Sequence, residues 1–249
     1  MTTADPQAGE RAPSELRRLA IAGVGLALVV AVPASVALVA AFGWDVEALL
    51  STGSDLRAIV AGGHSAAVLL HWGALGDMLY SYVLLVPLAL YLHSRFRERG
   101  PWLADLGTVA AFAYIFVGGA GAAILAFGGP SLIDAYASAL APERVPILAS
   151  FSELRDIVVF GLWQTLDPIT LGVWILSVGW LIRPERRATG VLLVVLGLGT
   201  ASVSALTALG TPGLAKVALG WGLPVLGWAL WFIAARATGR ERTPGSARR

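Results

Sequence analysis

The sequence of 249 residues contains no cysteine and a single lysine, Lys216. The absence of cysteine excludes disulfide bonds, thiolate nucleophiles and cysteine-ligated zinc. Charged residues make up 14% of the chain and hydrophobic residues 57%, whereas a soluble domain has about 25% charged and about 45–50% apolar residues. Together with the mean hydropathy of +0.74, this composition argues against a water-soluble enzyme and against a chain that is disordered over most of its length.

Several sequence motifs of catalysis and cofactor binding are also absent. The chain has no G-x-x-x-x-G-K-[ST] loop, no H-E-x-x-H pair and no G-x-S-x-G elbow. Its three histidines, His64, His71 and His93, belong to one predicted span region, so a monomer cannot build a haem site from two facing helices. The basic residues lie in short clusters between apolar runs, which does not favour nucleic-acid binding. We therefore predict no cofactor, no metal and no nucleic-acid partner, and we do not expect an enzyme.

The sequence contains several long apolar runs. A transmembrane helix needs about 20 mostly apolar residues, and six runs meet this length. They cover approximately residues 19–42, 73–93, 102–127, 157–182, 190–209 and 215–235. The pattern predicts an all-α, multi-pass membrane protein with a six-helix transmembrane domain at residues 16–237. Residues 1–15 and 238–249 are polar, and we predict that they form flexible tails.

The distribution of arginine predicts how the spans are oriented. With six spans, 14 of the 18 basic residues fall on one side of the membrane. Because basic residues accumulate in cytoplasmic segments, we predict that both termini are cytoplasmic. We also predict that the membrane is a bacterial plasma membrane.

A few polar residues interrupt the apolar spans. Counting about 20 residues from each cytoplasmic end places Asp77, Asp167, Lys216 and His71 at a similar shallow depth near the outer surface. Gln164 lies on the same helical face as Asp167. Ionisable residues inside spans are costly, so they are candidates for a functional site. A structural alternative remains open, in which an aspartate pairs with Lys216 or Arg155 and locks two helices together.

Other side chains are expected to support these residues. Tyr80 and Ser81 share the helical face of Asp77. In span 5, Thr200, Ser204 and Thr207 are spaced as interhelical hydrogen-bonding residues.

The dipeptide Asp167-Pro168 predicts an irregularity in span 4. Proline removes a backbone donor and clashes with the carbonyl group four residues earlier, here that of Gln164. One interpretation is a discontinuous helix in which Asp167 caps the inner half. The other is a simple kink.

The chain also resembles a known family. The segment Val86–Leu92 (VPLALYL) closes span 2, a long outer segment precedes span 4, and the turn at 183–190 leads into a glycine- and leucine-rich span 5. Over residues 15–235 this arrangement resembles a family of uncharacterised bacterial six-helix membrane proteins, grouped by a domain of unknown function. The resemblance implies the fold and brings no activity.

These observations lead to one functional expectation and two alternatives. We expect Asp77, Gln164, Asp167, Lys216 and His71 to line an outward-opening polar pocket that binds or transports a small molecule or a proton. The first alternative is an intramembrane enzyme acting on lipid. The second is a structural or accessory subunit that forms homo- or hetero-oligomers through the glycine- and alanine-rich helices 3 and 5.

Overall fold

The computed structural model describes residues 8–45 and 56–209, and within these ranges the chain is almost entirely helical and contains no strand. The α-helices are α1 (Ala8–Ala41), α2 (Arg57–Ala61), α3 (Gly63–Asp77), α4 (Val86–Phe96), α5 (Pro101–Ser138), α6 (Ala141–Asp156), α7 (Asp167–Ile182) and α8 (Arg187–Ala208). Three further helical segments are not α-helical: the π-helices Met78–Tyr82 and Ile157–Leu166, and the 3₁₀ helix Val83–Leu85. The predicted all-α class is confirmed.

Five helical stretches of the described ranges are long and apolar enough to cross a membrane. They are Ser14–Ala41, Gly63–Phe96, Pro101–Ser138, Ala141–Ile182 and Arg187–Thr207. Large apolar side chains such as Val29, Phe116 and Leu198 are more than half exposed on their outer faces, as expected for helices that contact lipid. The sixth predicted span and Lys216 lie outside the described residues, so the even number of spans and the orientation stay predictions.

The helices extend further than the apolar runs in the sequence. The helix α1 begins at Ala8, inside the segment predicted as a tail, and α3 begins at Gly63 rather than at residue 73. The helix α5 continues to Ser138. Hydropathy marks only the apolar part of a helix, whereas backbone hydrogen bonding continues into the polar turns at either end.

The helices pack largely in chain order, with α5 between the α3–α4 unit and α7. Glycine lets α7 and α8 approach backbone to backbone. A Cβ atom at Gly172 would lie 2.8 Å from the carbonyl oxygen of Gly197, and one at Gly179 would lie 3.0 Å from that of Gly190. Gly190 and Gly197 of span 5 therefore pack against α7 within the chain, and the oligomer contact predicted as one alternative for helices 3 and 5 stays a prediction.

One end of the bundle concentrates positive charge. Glu185 lies in the turn between α7 and α8. It accepts hydrogen bonds from Arg95, near the end of α4, at 2.9 Å and from Arg99, in the turn after α4. Arg183 stacks on the ring of Trp180 at 4.2 Å. We call the end of the bundle that carries these five residues the arginine-rich end.

Candidate functional site

The two aspartates predicted inside the spans both lie where the helix changes type. Asp77 is the last residue of α3 and precedes the π-helix Met78–Tyr82. Asp167 is the first residue of α7 and follows the π-helix Ile157–Leu166. Widened π-turns occur frequently at functional sites. Each aspartate therefore lies next to a π-helix, a backbone feature that is common at functional sites.

The segment around Asp167 is helical throughout, which answers the question raised by Asp167-Pro168. Leu166 and Asp167 have helical dihedral angles, with φ −81° and ψ −43° for the first and φ −56° and ψ −48° for the second. No side chain caps the start of α7. The interpretation of Asp167 as a helix cap is wrong, because the chain accommodates Pro168 by widening the preceding turns instead of breaking. The Asp167 carboxylate is thereby left to bind another part of the protein.

Tyr82 brings the two carboxylates to one place. Its hydroxyl donates a hydrogen bond of 2.6 Å to Oδ2 of Asp167, and Tyr82 follows Asp77 by five residues through a π-helix, in which residues five apart are joined by one turn. Ser81 Oγ donates to Oδ1 of Asp77 at 2.9 Å, as its shared helical face predicted. Two helices distant in sequence thus contribute one carboxylate each to the surroundings of a single phenol.

Two further tyrosines complete this group. The ring of Tyr114, on α5, lies 5.0 Å from that of Tyr82, and the side chain interacts with both carboxylates. Tyr80 interacts with Asp77, and its hydroxyl lies 3.2 Å from Ser35 Oγ on α1. We call the whole group the carboxylate cluster, and its members are Asp77, Tyr80, Ser81, Tyr82, Tyr114 and Asp167.

The carboxylates are buried and incompletely hydrogen-bonded. Asp77 is 1% exposed and Asp167 is 6% exposed. Oδ2 of Asp77 and Oδ1 of Asp167 are both buried and have no hydrogen-bond partner. Within residues 8–45 and 56–209 no basic side chain forms an ion pair with either of them, since Arg155 pairs with Asp156 at 2.8 Å. The predicted lock through Arg155 is therefore not formed, and the lock through Lys216 lies outside the described residues.

Glycines of α5 make room for the cluster. A Cβ atom at Gly118 would overlap the ring of Tyr82, and one at Gly121 would lie 3.0 Å from Nε1 of Trp163. Trp163 donates from Nε1 to the carbonyl oxygen of Gly118 at 3.3 Å. These glycines of α5 thus receive aromatic side chains of the chain itself.

The π-helix before Asp167 is supported by hydroxyl groups. Ser204 of α8 donates to the carbonyl oxygen of Thr165 at 2.6 Å, and Thr165 donates to that of Phe160 at 2.5 Å. The interhelical hydrogen bond predicted for Ser204 is thus confirmed. Gln164 is buried within this segment, three residues before Asp167, and its place in the predicted pocket stays a prediction.

His71 lies apart from the carboxylates. Its Nδ1 donates to the carbonyl oxygen of Ala126 at 2.8 Å. This is the carbonyl group that Pro130, inside α5, leaves without its helical donor. Six residues separate His71 from Asp77, which is about 9 Å along a helix axis. The structure assigns His71 to the support of a proline-containing helix and separates it from the predicted site.

The comparisons with known proteins give no guide to function: no family model matches the chain, and no curated protein or solved structure is significantly similar to it. The resemblance to a bacterial six-helix family stays a prediction. In the described part of the chain, no three histidine, aspartate or glutamate side chains are grouped so that they could hold a metal ion. The site is therefore interpreted from its own geometry, a pair of buried carboxylates surrounded by hydroxyl groups.

Proposed function

We propose that this protein is a multi-pass membrane protein that binds protons at Asp77 and Asp167 and moves them across the bilayer. The observation that supports the proposal is the carboxylate cluster. It holds two buried acidic side chains, each with one oxygen atom that lacks a hydrogen-bond partner and without a basic partner in the described residues.

The energetics of burial favour a bound proton at such a pair. An ionised aspartate inside a span is costly, and the cost falls from about 2.5–3.5 kcal/mol at the helix centre toward the membrane surface; two neighbouring negative charges repel each other as well. One proton shared by the pair removes a buried charge and the repulsion together. The Tyr82 hydroxyl, which donates to Asp167 at 2.6 Å, stabilises the charge that remains.

The surroundings are suited to exchange of this proton. The hydroxyl groups of Ser81, Tyr82 and Tyr114 can each donate and accept hydrogen bonds, and all three side chains belong to the carboxylate cluster. The cluster is closed in this conformation, so exchange with the outer solution requires a movement. We propose that the π-helices flanking Asp77 and Asp167 supply it, because π-turns are rare and occur frequently at functional sites.

The location in the cell is part of the proposal. Asp167 lies 15 residues from Ile182 at the arginine-rich end, which is about 22 Å along a helix axis. We place the arginine-rich end in the cytoplasm because arginine accumulates there. The carboxylate cluster, closed in this conformation, then lies nearer the outer face of a bacterial plasma membrane.

Proton movement can be measured with the full chain in liposomes that contain a pH-sensitive dye. A potassium gradient with valinomycin sets the membrane potential, and the rate of the pH change inside is recorded. We expect Asp77→Asn and Asp167→Asn to abolish the protein-dependent rate. The matched control is Asp134→Asn, because that carboxylate is half exposed and bonded to His64, and this variant should behave like the unmodified protein.

Other outcomes would contradict the proposal. Asparagine variants that move protons at the unmodified rate would exclude the cluster, and a protein no faster than empty liposomes would exclude proton transport. Variants that only fail to accumulate would support a purely structural pair. A partner that co-purifies in stoichiometric amount would favour an accessory subunit, and a changed membrane lipid would favour an enzyme.

A further inference from the structure

A second polar group lies near the arginine-rich end, between α4 and α5. His93 Nδ1 is 3.0 Å from Thr108 Oγ1, and Asp105 Oδ1 is 3.7 Å from the same nitrogen. Thr108 donates its only hydroxyl proton to the carbonyl oxygen of Ala104 at 2.7 Å, so toward the histidine it can only accept. The proton of a neutral His93 is therefore on Nδ1, and Nε2 has a lone pair that can take up another proton.

A crevice extends from His93 into the bundle. His93, Thr108, Trp174 and Ser177 are among the residues that line it, and the space inside is about 10 Å³, enough for one water molecule. The crevice depends on Gly107, because a Cβ atom there would lie 2.9 Å from Cβ of Ser177.

The polar groups of the crevice can hold that water. Ser177 donates its hydroxyl proton to the carbonyl oxygen of Val173 at 2.8 Å, which leaves its lone pairs free to accept a hydrogen bond. Thr108 and His93 provide polar atoms from the other side of the crevice. A buried water needs two to four partners, and a water that donates both of its protons can be held by two of these three accepting groups.

Aromatic side chains continue from the crevice to the carboxylate cluster. The ring of Trp174 lies 6.4 Å from that of Tyr114, which lies 5.0 Å from that of Tyr82, whose hydroxyl donates to Asp167. Six residues separate Thr108 from Tyr114 on α5, about 9 Å along its axis. The crevice and the cluster are thus successive levels of one interface between α5 and its neighbours.

We propose that this crevice is the route by which protons pass between the arginine-rich end and the carboxylate cluster, with His93 as the proton-accepting group at its entrance. The inference rests on the proposed function and names the path that it requires. Hydronium in the water at the arginine-rich end gives its proton to Nε2 of His93, leaving water. The imidazolium returns a proton to the crevice water. Because Ser177 lies ten residues from Asp167 on α7, about 15 Å along the helix axis, the hydronium so formed passes the proton through further water molecules that enter beside Trp174, Tyr114 and Tyr82, and the last of these gives it to the Asp167 carboxylate.

The first test removes the entrance. His93→Gln deletes the proton acceptor, and Thr108→Val deletes the hydroxyl that fixes the orientation of the ring. Positioned proton-transfer groups contribute about a hundredfold or more in rate, so we expect the liposome proton flux to fall by about that factor in His93→Gln and by less in Thr108→Val. His64→Gln is the matched control, because that histidine is exposed and lies at the start of α3, whereas His93 lies near the end of α4.

The second test uses the natural absence of cysteine. Silver ions are close to water in size and bind thiolates, so Ag⁺ should block the flux of a Ser177→Cys variant. The control is Ser202→Cys, because Ser202 is exposed on α8 and donates to the carbonyl oxygen of Gly199 in its own helix at 2.6 Å, away from the crevice. We expect Ag⁺ to leave this control and the unmodified protein unaffected.

The two proposals fail in different ways. If Asp167→Asn stops the flux while His93→Gln, Thr108→Val and Ag⁺ on Ser177→Cys leave it unchanged, the route is wrong and the proposed function survives. If Asp167→Asn leaves the flux unchanged, the proposed function fails whatever the crevice variants do.

Discussion

The hydrogen bond between Tyr82 and Asp167 gives the sharpest quantitative prediction. The variant Tyr82→Phe keeps the ring against Gly118 and deletes only the hydroxyl that donates to Asp167 at 2.6 Å. Because Oδ1 of Asp167 already has no hydrogen-bond partner, the deletion leaves both carboxylate oxygens without a donor.

The expected cost follows from this geometry. Leaving a buried polar group unsatisfied costs about 1–3 kcal/mol, and more when the group is charged. We therefore expect Tyr82→Phe to lower the free energy of unfolding by about 2 kcal/mol. In an Asp167→Ala background the hydroxyl has no carboxylate to lose, so the same substitution should cost much less, and the coupling energy of the double-mutant cycle should exceed about 1 kcal/mol.

Unfolding in mixed micelles with rising sodium dodecyl sulfate measures these differences. The control is Tyr136→Phe, because the ring of Tyr136 packs under Arg144 and keeps this contact as phenylalanine. Additive effects of Tyr82→Phe and Asp167→Ala, within about 0.3 kcal/mol, would refute the reasoning, since the two groups would then contribute independently.

Two further predictions concern the helix that supports the cluster. Gly118→Ala places a methyl group inside the ring of Tyr82 and should destabilise the protein by about 1–3 kcal/mol in the same unfolding assay. In the control Gly119→Ala the new Cβ would lie 3.7 Å from Tyr82, so this variant should be neutral or stabilising. Equal effects of the two substitutions would contradict the packing. His71→Leu removes the donor to the carbonyl group exposed by Pro130 and should cost about 1–3 kcal/mol. The double variant with Pro130→Ala regains a backbone donor and should recover most of that loss, and an absence of recovery would show that His71 has another role.

The parts of the fold that depend on composition could be predicted from the sequence. Apolar length alone located five stretches that the structure shows as helices long and apolar enough to cross a membrane, because a bilayer requires long helices with satisfied backbones. Helix ends were less predictable. The helix α5 continues through Pro130 to Ser138, and hydropathy cannot show that a histidine on another helix satisfies the carbonyl group that the proline exposes.

The candidate site could be predicted in part. Burying a polar or charged side chain in a span is costly, so Asp77, Asp167 and Gln164 could be identified from the sequence as candidates. Tyr82 and Tyr114 did not, because tyrosine is common both in cores and at membrane interfaces. Tyr82 follows Asp77 by five residues, which is the spacing of a π-turn, and a regular helical wheel places Ser81 instead on the face of Asp77.

The central claim is that the two buried carboxylates hold an exchangeable proton between them, and infrared difference spectroscopy measures this most directly. At neutral pH we predict the carbonyl band of a protonated carboxyl group, which shifts on transfer to heavy water. The band should be lost in Asp77→Asn and in Asp167→Asn, and Tyr82→Phe should move its frequency. A spectrum that shows only ionised carboxylates, or a protonated band unchanged in all three variants, would contradict the account.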